Sequence, residues 1–183
     1  MFSELAGGMF HVTMRGNARA EIFHESHDYE VFLKMVGKTV ERFDWLLHAF
    51  VVLPNHFHLL IETPQPNLAR GMLVLNGSYA RRYNAKFDRV GHVFQTPYRR
   101  KLVRTDEHFA ETVRYIANNP VRARLCKRAE DWPWSSFRAS VGLSSAPRFL
   151  RTDRVLAQFA SAAELRAFVA AKAMSGNHVA GHG

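Results

Sequence analysis

The chain has 183 residues, of which 47% are hydrophobic and 22% are charged. This length and composition suit one folded domain of ordinary size, and they exclude disorder over the whole chain. Basic residues exceed acidic residues, 25 against 16, and the lone Cys126 excludes both an intrachain disulfide and a zinc site built from several cysteines.

The longest stretch without Asp, Glu, Lys or Arg covers residues 45–61, and it contains three histidines and a Pro-Asn pair. A membrane-spanning helix needs about 20 consecutive apolar residues, so we predict no membrane span. No basic leader precedes an apolar run at the N-terminus, and we therefore expect a cytoplasmic protein without a signal peptide.

Apolar periodicity and turn residues predict seven elements between residues 8 and 118. In chain order they are a strand that ends at Gly16-Asn17, a helix over residues 28–43, two strands joined by a Pro54-Asn55 hairpin, a helix over residues 67–87 capped by Asn67, a strand pair or bent strand over residues 91–104, and a helix that begins at Thr105. This order, β-α-β-β-α-β-α, predicts an α+β fold with a ferredoxin-like split βαβ core, an antiparallel sheet with helices on one face, followed by an appended helix.

The remainder of the chain carries fewer signals. A loop of Gly, Ser and Pro occupies residues 142–147, and an Ala-rich helix is predicted over residues 161–174. We predict one domain over residues 1–140 and a C-terminal helical extension and tail over residues 141–183.

Two histidines in the second strand of the hairpin are candidates for chemistry. His56 and His58 lie two residues apart, and because strand side chains alternate, both imidazoles project from one face. A two-residue turn places His48 on the other face, where it would be structural. The spacing fits a metal site, but it also fits two histidines that meet by chance on a solvated strand.

The helix after Thr105 offers a second pair of candidates. Its apolar stripe of Phe109, Val113 and Ile116 leaves Tyr115 about 130° away from the stripe centre, so Tyr115 is not an obvious core residue. Asn119 follows one helical turn later on the same side. The alternative is a half-exposed packing tyrosine and an asparagine that caps the next helix at Pro120.

Basic residues with interleaved aromatic residues concentrate between residues 79 and 104. Cationic side chains neutralise phosphates, and exposed rings stack on unpaired bases. The pattern favours binding of single-stranded nucleic acid over a merely solvated basic face.

Six segments in chain order resemble those of the REP-associated tyrosine transposases, which are relatives of the single-strand transposases within the HUH nucleases. The segments are HVTMRGN, LHAFVVLPNHFHLLIETP, NLARGMLVLNGSYARRYN, GHVFQTPYRRKLV, YIANNPVRARL and WPWSSF. The resemblance covers residues 9–139, and the segment after residue 140 carries no matching motif.

The resemblance implies a residue for each role in DNA cleavage. His56 and His58 would hold a divalent cation, Mg²⁺ or Mn²⁺, with Asn119 as the third protein ligand at a position where the insertion-sequence branch usually has Gln. Tyr115 would be the nucleophile of a metal-dependent single-stranded DNA endonuclease and strand transferase, forming a 5′-phosphotyrosine. The implied partner is single-stranded or hairpin REP DNA.

Eight residues are candidates for DNA contacts, chosen by composition and position. They are Arg15, Asn17, Arg81, Arg82, Tyr98, Arg99, Arg100 and Lys101. Two alternatives remain open, a domesticated hairpin-binding module without catalysis and an RNA-processing endonuclease. The oligomeric state is open between monomer and dimer, with the monomer preferred.

Overall fold

A computed structural model describes residues 6–173 of the chain. Its centre is one four-stranded antiparallel sheet with the strand order β2-β3-β1-β4. The strands are β1 Gly8–Arg15, β2 Leu46–Leu53, β3 His56–Thr63 and β4 Arg99–Val103. The helices are α1 Ser26–Arg42, α2 Leu68–Lys86, α3 Asp106–Ala117, α4 Asn119–Arg122, α5 Phe137–Ser140, α6 Asp153–Leu156 and α7 Ala162–Ala173. The predicted α+β fold with a split βαβ core is confirmed.

The two faces of the sheet carry separate hydrophobic cores. In β3, the odd-numbered residues from Phe57 to Ile61 pack against α1 and α2, with the Phe57 and Phe32 rings 4.7 Å apart. Leu60 points the other way and joins Phe109 and other apolar residues of α3 and α7. Helices α1 and α2 share one face of the sheet, as predicted. The appended helix α3 covers the other face, which carries both histidines of β3.

The start of α3 follows its sequence signals. Thr105 is the N-cap, and its hydroxyl oxygen accepts a hydrogen bond from the His108 backbone N–H at 3.1 Å. The start of α2 differs from the prediction. Asn67 occupies the N-cap position, but its side chain accepts from Trp45 Nε1 at 2.7 Å and donates to the Phe43 carbonyl at 3.0 Å. Asn67 therefore anchors the preceding turn and makes no side-chain capping bond.

The predicted placement of His48 is wrong. The pairing of β2 with β3 shifts between Leu47 and Ala49, so His48 is the extra residue of a β-bulge. A one-residue shift moves a side chain to the other face of the sheet. The His48 ring lies 5.6 Å from the Phe109 ring of α3, and His48 Nε2 lies 3.2 Å from Glu62 Oε2. His48 is structural as predicted, but on the α3 face.

The segment before β4 is less regular than predicted. Within residues 91–98, pairing is limited to an isolated bridge between Phe94 and Gly16, and the Thr96-Pro97 peptide bond is cis. Regular pairing with β1 begins only at Arg99. In place of the predicted strand pair or bent strand over residues 91–104, the structure has one five-residue strand preceded by an irregular segment.

The C-terminal part of the described chain packs on the α3 face. Val155, Leu165 and Val169 are buried in the same core as Phe109. The predicted Ala-rich helix corresponds to α7, and Met174 lies outside the described residues. The division at residue 140 stays a prediction. Between residues 6 and 173, no helix has both the length and the apolar character that a membrane crossing requires.

Candidate active site

The candidate site lies where the beginning of β3 meets the end of α3. Strands β1 and β3 pair with Thr13 opposite His58 and Arg15 opposite His56, so all four side chains project from the α3 face. A cleft of about 450 Å³ opens between these strands and α3. Its lining includes His56, His58, Tyr115, Asn119, Arg15, Arg99 and Arg122. The predicted nucleophile and all three predicted ligands thus line one cleft.

The contacts of His56 leave one nitrogen for a cation. His56 Nδ1 lies 2.6 Å from Asn55 Oδ1, and its Nε2 lies 3.3 Å from Asn119 Oδ1. A neutral imidazole carries only one N–H, so it cannot donate to both amide oxygens. When the closer contact takes the hydrogen, the lone pair of Nε2 faces the amide oxygen of Asn119. A cation between these two atoms would satisfy both.

His58 offers a second free nitrogen on the same face. His58 Nε2 is buried and has no hydrogen-bond partner, and the same is true of Asn119 Nδ2. Burial lowers the pKa of His56 and holds the pKa of His58 well below its usual range. Both rings are therefore neutral at pH 7, which is the form of histidine that binds metal ions. The unpartnered His58 Nε2 and the two neutral rings fit a divalent cation.

The donor set is small. Across residues 6–173, no three His, Cys, Asp or Glu side chains are close enough together to hold a metal ion. A cation in this cleft would therefore depend on His56, His58 and the amide oxygen of Asn119, completed by water or by a substrate phosphate. Oxygen ligands of this kind suit Mg²⁺ and Mn²⁺, whereas imidazoles are tolerated better by Mn²⁺.

Tyr115 is exposed to the cleft, as its position off the apolar stripe predicts. Its side chain is 39% exposed, whereas Phe109 and Ile116 on the same helix are buried. The Tyr115 ring centroid lies 5.5 Å from that of His58. The Arg122 guanidinium carbon lies 4.9 Å from the Tyr115 ring centroid, within cation–π range. The phenol is thus next to the candidate ligands and beneath a cationic side chain.

Asn119 lies just beyond the helix that carries Tyr115. The sequence predicts it one helical turn after Tyr115 on the same side, with a cap of the next helix at Pro120 as the alternative. In the structure α3 ends at Ala117, Asn118 joins the two helices, and Asn119 is the first residue of α4. Asn119 is 8% exposed and contacts His56. The junction turns its amide into the cleft, and Pro120 occupies the first turn of the new helix, where its missing N–H costs no hydrogen bond.

Three of the candidate DNA contacts lie on the α3 face of the sheet, and a fourth lies in the turn after β1. Arg15 and Arg99 line the cleft. Lys101 is the partner of His11 in the β1–β4 pairing, so it shares the face of Arg99. Asn17 is exposed in the turn after β1, where its Oδ1 accepts from the Ala18 N–H.

The other four candidates lie on the opposite side of the sheet, which α1 and α2 cover. Arg81 and Arg82 belong to α2. Arg100 alternates with its neighbours in β4, and its guanidinium lies 6.0 Å from the Phe10 ring. Tyr98 packs against the core of that face. The structure does not bring these four residues to the cleft. The prediction had grouped them with the other four because charge density along the chain does not show which face of the sheet a residue occupies.

Sequence reasoning missed several residues at the site. His11 and Thr13 flank the buried Val12 in β1, and the alternation of that strand was enough to place them on the face opposite the α1 and α2 core. Arg122 follows Asn119 by three residues, a spacing that puts both on one side of a short helix. Gln95 lines the cleft from the irregular segment and had no sequence signal.

Comparisons with known proteins agree on one family. The family model described as "Transposase IS200 like" matches residues 5–119. A curated Haemophilus influenzae protein, named "Putative REP-associated tyrosine transposase", is 27% identical over 146 residues, which cover 74% of this chain and 82% of that protein. A solved structure of a REP-associated tyrosine transposase bound to a REP hairpin has a TM-score of 0.67 and 20% identity, covering 84% of this chain and 91% of its own. The solved structure supports the fold.

Proposed function

The chain belongs to the IS200-like transposase family, and from this premise we propose that it is a metal-dependent single-stranded DNA endonuclease and strand transferase with Tyr115 as nucleophile. One observation carries the proposal: a solvent-accessible phenol, two neutral imidazoles and an amide oxygen line the same cleft. Such a constellation suits attack on a phosphodiester, whose charge resists nucleophiles.

His56 Nε2, His58 Nε2 and Asn119 Oδ1 would hold the cation, Mg²⁺ or Mn²⁺. With the His56 hydrogen on Nδ1, no N–H or O–H group among residues 6–173 donates to these three atoms. When bound, a divalent cation would offset the negative charge that develops on the phosphate oxygens. Arg122 and Arg15 add positive charge on two sides of the cleft, and Arg99 adds it on a third. These arginines orient the backbone phosphate and lower the cost of bringing it near the phenol.

The covalent step is a phosphoryl transfer to the protein. Tyr115 Oη forms a bond to phosphorus, the bond from phosphorus to the 3′-oxygen of the preceding nucleotide breaks, and that oxygen takes up a proton as the phenol loses one. The products are a 5′-phosphotyrosine and a free 3′-hydroxyl. The phosphotyrosine bond retains the energy of the phosphodiester bond that was broken. Attack by a second 3′-hydroxyl therefore reverses the step and joins strands without ATP.

The substrate proposal rests on charge and on the relatives. A phosphate reaches Tyr115 only if the strand passes through the cleft, which favours an unpaired segment over a duplex. The curated relative is named for REP association, and the solved relative is described as bound to a REP hairpin. We therefore propose a REP-type hairpin with an adjoining single strand as the DNA, which would place the protein with the nucleoid in the cytoplasm.

The eight candidate DNA contacts divide between two surfaces under this proposal. Arg15, Asn17, Arg99 and Lys101 would guide the strand that enters the cleft. The opposite surface, with Arg81, Arg82, Tyr98 and Arg100, would contact a more distant part of the hairpin, with the DNA wrapped around the β4 edge of the sheet.

A denaturing gel tests the proposal. The protein is mixed with a labelled REP hairpin oligonucleotide and Mn²⁺, and we expect an SDS-stable protein–DNA adduct that chelator prevents. Tyr115→Phe should abolish both the adduct and cleavage while it leaves oligonucleotide binding nearly unchanged. Binding without any adduct or cleavage by the wild type would instead support a hairpin-binding module, and cleavage by Tyr115→Phe would refute the nucleophile.

A further inference from the structure

We propose that His11 and Thr13 of β1 are positioning residues that fix the ring tautomer of His58. They do so by accepting its Nδ1–H, which leaves the Nε2 lone pair directed into the cleft. The inference rests on the proposed function, because the cation site is the one that His58 would help to form. Neither residue stands among the ligands or nucleophile of that site.

The sheet register brings the three side chains together. Thr13 is the cross-strand partner of His58, and His11 projects from the same face two residues earlier. His11 Nε2 and Thr13 Oγ1 both lie 2.9 Å from His58 Nδ1. The His11 and His58 rings are 5.1 Å apart and inclined by 31°. Two polar groups therefore converge on one nitrogen of His58, while its other nitrogen has none.

This asymmetry decides where the single hydrogen of the neutral ring belongs. A hydrogen on Nε2 would be a buried donor with no acceptor, because that atom has no partner. A hydrogen on Nδ1 can be shared between the lone pair of His11 Nε2 and the hydroxyl oxygen of Thr13. The Nδ1–H form is thus the satisfied one. It is also the form that can bind a cation through Nε2, since the partner of the other ring nitrogen selects the binding tautomer.

His11 has a second contact that ties the ligand to the nucleophile. Its ring lies 5.6 Å from the Tyr115 ring in an edge-on arrangement with an interplanar angle of 67°. The His11 imidazole thereby packs against both the candidate ligand His58 and the candidate nucleophile Tyr115. Replacement of His11 by Phe keeps this ring contact and removes the acceptor, whereas Gln keeps an acceptor near the position of Nε2.

The tautomer can be measured in the metal-free protein. Ring ¹⁵N shifts of the full-length chain, with His58 assigned by its loss in His58→Gln, should report the Nδ1–H form in the wild type. In the double variant His11→Phe/Thr13→Val, the Nε2–H form should become populated. An Nε2–H tautomer in the wild type, or an unchanged tautomer in the double variant, would overturn the proposal.

Affinity for Mn²⁺ alone, measured by the loss of the free-ion EPR signal, gives a second readout. Partners of this kind change metal affinity by about 10- to 100-fold, so we expect a weakening of that size in the double variant. His11→Gln should restore most of the affinity that His11→Phe loses. Affinity in the double variant within twofold of the wild type would contradict the proposal.

A matched control separates this role from a general effect of removing a buried imidazole. His48→Phe removes a buried histidine from the same sheet face, one that contacts Glu62 and Phe109. It should leave Mn²⁺ affinity unchanged. A wild type that binds no Mn²⁺ would refute the cation site of the proposed function, and the ring tautomer of the metal-free protein would still decide the role of His11 and Thr13.

Discussion

Asn118 anchors the C-terminal helix to the junction that carries the nucleophile and the amide ligand, and we expect Asn118→Ala to destabilise the protein. Asn118 is 6% exposed, and its Nδ2 donates to the Val169 carbonyl of α7 at 2.7 Å. Loss of this buried hydrogen bond, together with the small cavity, costs about 1–2 kcal/mol. For a chain of this size, each kcal/mol lowers the melting temperature by roughly 2–4 °C, so a fall of about 2–8 °C follows.

Thermal unfolding followed by circular dichroism measures the effect, and two further variants sharpen it. Asn84→Ala removes a bond of the same type, from Nδ2 to the Gly91 carbonyl at 3.0 Å, but at an exposed position, so it should lower the melting temperature by less than Asn118→Ala. Asn118→Asp keeps the volume and replaces the donor by an acceptor, so it should destabilise more than alanine does. Equal melting temperatures for the wild type and Asn118→Ala would refute the anchoring of α7.

Three further predictions concern the site and its surroundings. Asn119→Ala should shift the Mn²⁺ dependence of cleavage to higher concentration, because one of three ligand groups is lost; an unchanged Mn²⁺ titration would exclude Asn119 as a ligand. Arg122→Ala should slow single-turnover cleavage about two- to fivefold through the lost cation–π contact with Tyr115 alone, and more if the guanidinium also binds phosphate. Burial lowers the pKa of His48 although its ring donates a hydrogen bond to Glu62, so on acidification His48 is protonated in the unfolded chain before it is protonated in the folded chain. The unfolding free energy should therefore fall as the pH drops below about 6.5. Urea titrations should show a shallower fall for His48→Phe, and an identical pH dependence would contradict the buried neutral state.

Local signals in the sequence were sufficient to predict most helices and strands and the positions of His56, His58 and Tyr115 at the site. Hydrophobic periodicity located α1, α2 and α3 to within two residues or so, and the Pro54-Asn55 turn set the β2–β3 register near His58. Strand alternation placed His56 and His58 on the correct face of β3, and the position off the apolar stripe placed Tyr115 on the correct side of α3. Those rules hold because they depend on backbone geometry over only a few residues.

The misplaced residues are those whose position depends on a single irregular residue or on distant packing. The bulge at His48 moves its side chain to the α3 face of the sheet, and no feature of the local sequence marks this bulge. Asn67 has the residue type of a cap, yet Trp45 and the Phe43 carbonyl compete for its amide. Arg81 and Arg100 were grouped with Arg99 by sequence density, although the sheet separates them, since charge along the chain says nothing about which face a residue occupies.

The chemical identity of the covalent intermediate tests the central claim most directly. Trypsin cleaves after Arg114 and Arg122, so the peptide over residues 115–122 contains Tyr115 as its only tyrosine. After reaction with a hairpin oligonucleotide in Mn²⁺ and nuclease trimming, mass spectrometry should find a 5′-linked nucleotide phosphate on this peptide. A nucleotide on any other peptide, or strand cleavage with this peptide unmodified, would contradict the account.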